Sequence, residues 1–210
     1  MKVNTKSVRI NYKASIIESG SLTTIDRSIT PKLKDYIAIA KDELLQQFNS
    51  HPVTQEIDMG PNGSNISGTL SGYGCLFSFI GFDSGDNPTD IIRRKIKNIQ
   101  LRIYQKGSKV DYKIIAPSIE NIYRDTPLPW AKGRSWVRGI EHGLPNIAQY
   151  KHSKEISSYS RSGTGLLIKE PKTFALKSHI RRFKNTPYVT MMLRDFDEKM
   201  KSYINFILKS

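Results

Sequence analysis

The apolar residues of the N-terminal third recur at helical spacing. Leu33, Tyr36, Ile37, Ala40, Leu44, Leu45 and Phe48 fall three and four apart and make one face of an amphipathic helix. Thr30 is suited to cap that helix and Pro31 to its first turn, and His51-Pro52 followed by Gly60-Pro61-Asn62-Gly63 ends the run. The same period returns at the C-terminus in Val189, Met192, Leu193, Phe196, Met200, Tyr203, Ile204, Ile207 and Leu208, which predicts a second long helix over 187–208. Between the two, the pattern changes. Cys75-Leu76-Phe77-Ser78-Phe79-Ile80-Gly81-Phe82 is short, aromatic and bounded by turn formers, which predicts a buried strand. Asp86-Asn87-Pro88-Thr89-Asp90 opens a helix carrying Ile91, Ile92 and Ile96. Ile99, Leu101 and Ile103 then alternate with polar residues, Lys106-Gly107-Ser108-Lys109 turns the chain, and Val110, Tyr112 and Ile114 alternate again, a hairpin with one face buried and one basic.

Pro117 to Asp125 accommodates a short helix, and Thr126-Pro127-Leu128-Pro129 resets the chain ahead of Trp130 and Trp136. The polar stretch from Gly143 to Gly165, with Ser157-Ser158-Tyr159-Ser160-Arg161-Ser162-Gly163 inside it, reads as a long loop. The order helix, strands, helix predicts an α+β domain with an antiparallel sheet flanked by an N-terminal and a long C-terminal helix. A chain of 210 residues is expected to form one such domain over 1–210, with residues 1–20 as an N-terminal extension.

Composition adds a surface to this outline. Lys and Arg number 33 against 19 Asp and Glu, a formal net charge of +14, so a polyanion or an acidic protein is the expected neighbour. The excess is clustered: Arg93, Arg94, Lys95, Lys97, Arg102, Lys106, Lys109 and Lys113 occupy the helix-and-hairpin stretch, and Lys177, Arg181, Arg182 and Lys184 form a second group. Alternation along the hairpin sets Arg102 on the face opposite Leu101 and Ile103. A row of cations there suits a DNA backbone or an acidic partner, while the plain alternative is a solvated face. No recognition-helix or zinc-finger pattern points to sequence-specific reading. No run of about 20 apolar residues crosses a bilayer and the first residues lack the apolar core of a signal peptide, so a protein free of membranes and made in the cytoplasm is expected. The lone Cys75 has no intrachain disulfide partner and reads as a small apolar filler.

Catalytic chemistry is weakly signalled. His179-Ile180-Arg181-Arg182 offers a His and an Arg three residues apart, as in tyrosine recombinases, but the β-rich middle fits that helical domain poorly and a solvated basic turn explains the segment. Ser160-Arg161-Ser162-Gly163-Thr164-Gly165 lacks both the elbow around a nucleophilic Ser and the Gly-Lys of a phosphate cradle. His51, His142, His152 and His179 are scattered without metal-ligand spacing. Glu141 and His142 beside Trp136 lack a second carboxylate for acid–base work. No enzyme, cofactor or metal is therefore expected.

Several stretches resemble the small neck, head-tail connector and tail-completion proteins of tailed bacteriophages. They are His51-Pro52-Val53-Thr54-Gln55-Glu56-Ile57, Ser67-Gly68-Thr69-Leu70-Ser71-Gly72-Tyr73-Gly74, the Leu76–Phe82 segment, and Trp136-Val137-Arg138-Gly139-Ile140-Glu141-His142-Gly143 followed by the Gly-containing segment 160–165. The likeness spans roughly residues 30 to 170. It implies a curved antiparallel sheet flanked by helices, assembled as a ring of identical subunits in the virion, between the DNA-filled head and the tail. Portal, connector or tail proteins would adjoin it, and the basic face would meet either packaged DNA, non-specifically, or an acidic neighbouring ring. It carries no catalytic residues. Trp130, Trp136, Tyr150 and Tyr159 are the candidate interface anchors, since aromatic residues dominate such contacts. For the tryptophans, burial in the subunit's own core is the plain alternative. A basic, non-specific DNA-binding protein is the alternative function.

Overall fold

The computed structural model describes residues 22–70, 74–106, 109–142, 150–153, 166–169 and 185–209. The expected extension 1–20 lies outside them. The chain is a mixed α+β protein: helices α1 (Leu22–Ser50), α2 (Pro52–Asp58), α3 (Leu76–Ile80) and α4 (Asp90–Lys97) precede strands β1 (Gln100–Lys106) and β2 (Lys109–Ile115). Then follow α5 (Ile119–Asp125), β3 (Pro127–Leu128), β4 (Ala131–Ser135), α6 (Trp136–His142), β5 (Tyr150–Ser153), β6 (Leu166–Lys169) and α7 (Val189–Lys209). The strands pair antiparallel, as expected, but in three separate two-stranded ladders among the described residues.

The two long helices carry the core stripes that their periodicity predicts. Leu33, Ile37, Ala40, Leu44 and Phe48 of α1 are buried against Val189, Met192, Phe196, Met200 and Ile204 of α7. They run antiparallel: Tyr36 stacks on Tyr203 with ring centroids 3.4 Å apart, Lys199 pairs with Glu43 at 2.9 Å, and Phe48 faces Tyr188 at 5.8 Å. α1 begins at Leu22, ahead of the expected cap, and Pro31 lies inside it. Proline forfeits a single backbone donor there, its ring is exposed, and the stripe that follows holds the helix. Thr30 is no cap; its hydroxyl meets the Tyr112 hydroxyl at 3.3 Å.

The expected strand at Cys75–Phe82 is a correction: the segment is helix α3. A short apolar run is ambiguous by periodicity, and two outside constraints decide it. Gly81, at φ 90°, closes the helix with the Gly81 N–H on Ser78 and the Phe82 N–H on Phe77, a Schellman ending. At the other end the Leu76 N–H, free in the first turn, donates to the Glu56 carboxylate at 2.8 Å. Glu56 is fully buried and its second oxygen accepts the Ser67 N–H at 3.0 Å and the Ser67 hydroxyl at 2.5 Å. One carboxylate from α2 therefore binds both the 67–69 loop and the start of α3. Cys75 is buried as expected, but in the extended residue before α3 instead of a strand.

Around this clamp runs a chain of rings: Phe77 to Phe82 at 5.4 Å, Phe82 edge-on to Trp136 at 5.9 Å, Trp136 to Tyr188 at 6.4 Å. α6 is capped by Ser135, whose hydroxyl accepts the Arg138 N–H at 3.1 Å, and α5 by Ser118, which accepts from Asn121 at 3.3 Å. The hairpin is in the predicted register, with Leu101 opposite Ile114 and Ile103 opposite Tyr112; Leu101, Ile114 and Tyr112 pack on the core, while Ile103 is 38% exposed. No helix of the described residues is long and apolar enough to cross a membrane.

Two outcomes check this account. Glu56→Gln turns an amide N–H2 toward backbone donors in a dry site and is expected to cost about 3 kcal/mol in denaturant unfolding. A Cβ at Gly81 would sit 3.1 Å from Trp130 Cδ1, so Gly81→Ala should cost about 1–2 kcal/mol from its left-handed backbone and perturb Trp130 fluorescence.

Candidate functional site

The α4–hairpin stretch sorts its cations by helical geometry. Ile92 and Ile96 bury one side of α4; at 100° per residue Arg93 and Lys95 flank that side, and Arg94 and Lys97 point away from it. The flanking pair is committed to structure. Arg93 binds Asp58 directly, reaches Asp90 at 3.0 Å and Asn49 at 2.8 Å, and lies over the Phe48 ring at 5.7 Å. Partial burial opposes its charge, yet Asp58 and Asp90 outweigh that and raise its pKa. Lys95 bridges to Asp125 at 2.5 Å. These two are therefore corrected from basic-face candidates to ties that fix α4 to α2 and α5. Arg124 and then Lys95 hold the Asp125 carboxyl below its usual range against partial desolvation.

The outward residues differ. Arg94, Lys97 and Arg102 are exposed and Lys113 is half-buried, and none of these four makes an ion pair or hydrogen bond among the described residues. Arg102 stands directly opposite Lys113, and Lys106 opposite Lys109. Between them Tyr104 is 46% exposed and opposes Asp111. The side chains of Lys106 and Lys109 lie outside the description. The second basic group at 177–184, with His179 and Arg182, lies outside the described residues, as does the Ser160–Gly165 segment.

The aromatic candidates divide as well. Trp136 is 2% exposed, so it is core, not an interface anchor: it is the centre of the ring chain, and no partner can reach it. Trp130 is 52% exposed, and its indole N–H donates to the Ile80 carbonyl at 2.8 Å, which fixes a half-open ring on the surface. Tyr150 is placed by backbone alone, opposite Lys169 in the β5–β6 ladder, and Tyr159 lies outside the described residues.

Glu141 and His142, singled out in the sequence, belong to a polar cluster whose other members, Tyr123 and Thr190, the sequence did not point to. Glu141 accepts the Thr190 N–H at 2.7 Å and the Thr190 hydroxyl at 2.6 Å, and the Tyr123 hydroxyl donates to it at 2.6 Å with His142 Nε2 3.2 Å away. Desolvation and then the Glu141 hydrogen bond push the Tyr123 phenol up to about 12, so it is a donor throughout the neutral range. The carboxylate caps the free N–H of α7's first turn, so the cluster is read as a fastening of α6 to α7. Its members lie 18, 49 and 67 positions apart, a separation that no spacing rule detects. A shallow groove of 520 Å³ runs between α1 and α2 past Asp42, Leu45, Gln46, Asn49, Ser50 and Gln55; it gathers no nucleophile with its base. Among the described residues no group of three or more His, Cys, Asp or Glu could hold a metal ion.

Fold and surface together define a mixed α+β protein whose two-stranded ribbon carries, among the described residues, Arg102 and Lys113 without a carboxylate partner. No family model, curated protein or solved structure matches the chain.

His51 provides a pH test. Its Nδ1 accepts the Val53 N–H at 3.2 Å to cap α2, and its ring lies 4.8 Å from Tyr188. Burial lowers its pKa below 6.5, a shift that the Pro187 backbone partly offsets. The unfolded chain then binds the proton more readily, so stability is complete above 6.5 and is lost as pH falls below it. His51→Asn keeps a capping acceptor and should flatten that part of the pH–stability profile.

Proposed function

We propose that this protein is a structural subunit of a tailed-bacteriophage neck or tail-completion assembly, forming a homo-oligomeric ring that joins the DNA-filled head to the tail and working by shape and charge instead of bond chemistry. The observation that carries this reading is where the resemblance-bearing stretches lie. The 51–57 stretch is α2 with its cap, 67–70 is the loop held by Glu56, 76–82 is α3 with its Gly ending, and 136–142 is α6. The first three meet at the Glu56 carboxylate, and α6 brings Trp136 to the ring chain that Phe77 and Phe82 begin. The likeness therefore falls on packing residues, which supports a role played through shape and contact.

The outer surface supports the assembly part. Ile39 on α1 and Phe206 on α7 are 57% and 67% exposed, and Trp130 presents its fixed ring. Rigid exposed aromatic rings are what contacts between subunits use. Portal, connector or tail proteins are the proposed neighbours, and the virion the proposed location. The alternative reading, a basic protein that binds DNA without sequence preference, is favoured by the unpaired Arg94, Lys97, Arg102 and Lys113; such binding would weaken steeply with salt.

Native mass spectrometry at rising concentration is expected to show a closed oligomer, and electron microscopy of the virion to place the polypeptide at the head–tail junction. Phe206→Asp should shift the population to monomer while changing unfolding free energy by no more than about 0.5 kcal/mol, as for exposed positions in general. A chain that stays monomeric at every concentration and is missing from virions sinks the ring.

A further inference from the structure

We infer that the outward face of the β1–β2 ribbon is a contact surface for the phosphodiester backbone of duplex DNA, with Arg102, Lys113 and Tyr104 as its described contact residues. The inference rests on the DNA-contact part of the proposed function and gives it a location and a mode.

Two features of the ribbon are hard to account for as fold. Residues directly opposite on one face have Cβ atoms about 5 Å apart, and like charges there destabilise a hairpin. This face sets Arg102 against Lys113 and, four residues along each strand, Lys106 against Lys109. The described carboxylates that neutralise cations nearby, Asp58, Asp90 and Asp125, are occupied by Arg93, Lys95 and Arg124, and none is turned to this face. Asp111 is the one acid at a register position of the face, opposite Tyr104. The core requires nothing of these cations, since burial is supplied by the other face through Leu101, Tyr112 and Ile114. Repulsive pairs on an exposed ribbon are relieved by an external polyanion.

The second feature is Tyr104. It is 46% exposed on the same face, between the two cation pairs, and its phenol is a hydrogen-bond donor of the kind that phosphate oxygens accept from protein surfaces. At roughly 3.3 Å per strand residue the cation pairs stand about 13 Å apart. The Arg102–Lys113 pair and the Tyr104 hydroxyl two residues along the strand thus form a line of donors, with no described group arranged to read base edges. The contact is therefore sequence-independent and electrostatic, the kind that a duplex backbone, with a phosphate at every step, offers along its whole length.

The test measures binding of the full chain to a random-sequence duplex across a salt series. Arg102→Gln/Lys113→Gln is compared with Lys199→Gln/Lys201→Gln, which removes the same two charges from α7. The wild type is expected to bind with a steep salt slope. The ribbon variant should lower the magnitude of that slope by about 1.8, that is 0.9 for each lost phosphate contact, and weaken binding roughly tenfold or more at about 0.1 M salt. The α7 variant should change little, and Tyr104→Phe should weaken binding a few-fold. Removing the cross-strand repulsion should leave the ribbon variant's melting temperature unchanged or raised, so a loss of binding is not a loss of fold. Equal losses in both charge variants would mean diffuse net charge and overturn the ribbon site while leaving the DNA-contact reading intact. Binding of poly-glutamate as tight as that of the duplex would also overturn it. No binding of the wild type at low salt would remove the DNA-contact reading itself, and the oligomeric state, read separately, would still report on the ring.

Discussion

The described core is organised around the buried carboxylate of Glu56. A charged group without solvent persists only when its oxygens are satisfied, and here Ser67 and the first N–H of α3 satisfy both. Those donors come from a loop and a helix whose Leu70, Leu76 and Phe77 join the same apolar core, and the carboxylate ties the start of α3 to that loop. Once α3 is placed, Gly81 ends it, Phe77 and Phe82 are aimed inward, and Trp136 and Tyr188 close on them. The ring chain and the carboxylate thus hold the same elements together. Thr54 of the same short helix α2 donates to or accepts from the Tyr188 hydroxyl at 2.6 Å, so α2 holds both ends of the aromatic chain.

The same economy of charge divides the surface. Where a cation has a carboxylate within reach, as Arg93 with Asp58 and Lys95 with Asp125, it fastens one element to another. On the outward sides of α4 and the β1–β2 ribbon, Arg94, Lys97, Arg102 and Lys113 pair with no carboxylate among the described residues, and that charge is left to the exterior. A net charge of +14 therefore overstates some parts of the surface and understates others, and among the described residues α4 and the ribbon hold four cations, Arg94, Lys97, Arg102 and Lys113, without a carboxylate partner. For a subunit that works by contact, that division matters more than the total: the paired cations keep the scaffold rigid, and the unpaired ones are available to a neighbour. Trp130, held by Ile80 and backed by Gly81, is the apolar counterpart, an exposed ring whose orientation is set by the core beneath it.

Much of this was legible in the chain because period is a local property. The stripes of α1 and α7, the α4 start at Asp90, the hairpin register and the short α5 all follow from residues a few positions apart, and each is where alternation or three-and-four spacing puts it. The α+β class and the opposition of Arg102 to Leu101 and Ile103 follow the same way. Three things were decided only in three dimensions. Leu76–Ile80 became helix instead of strand because Glu56, twenty residues away, supplied an acceptor to its first turn. Trp136 became core and Trp130 surface because the rings available to cover them, Phe82 and Tyr188, reach only one. Arg93 and Lys95 left the basic face because their carboxylates arrive from α2 and α5. In each case the deciding partner is remote in sequence, and a burial or pairing energy that depends on a remote partner has no period for a sequence to display.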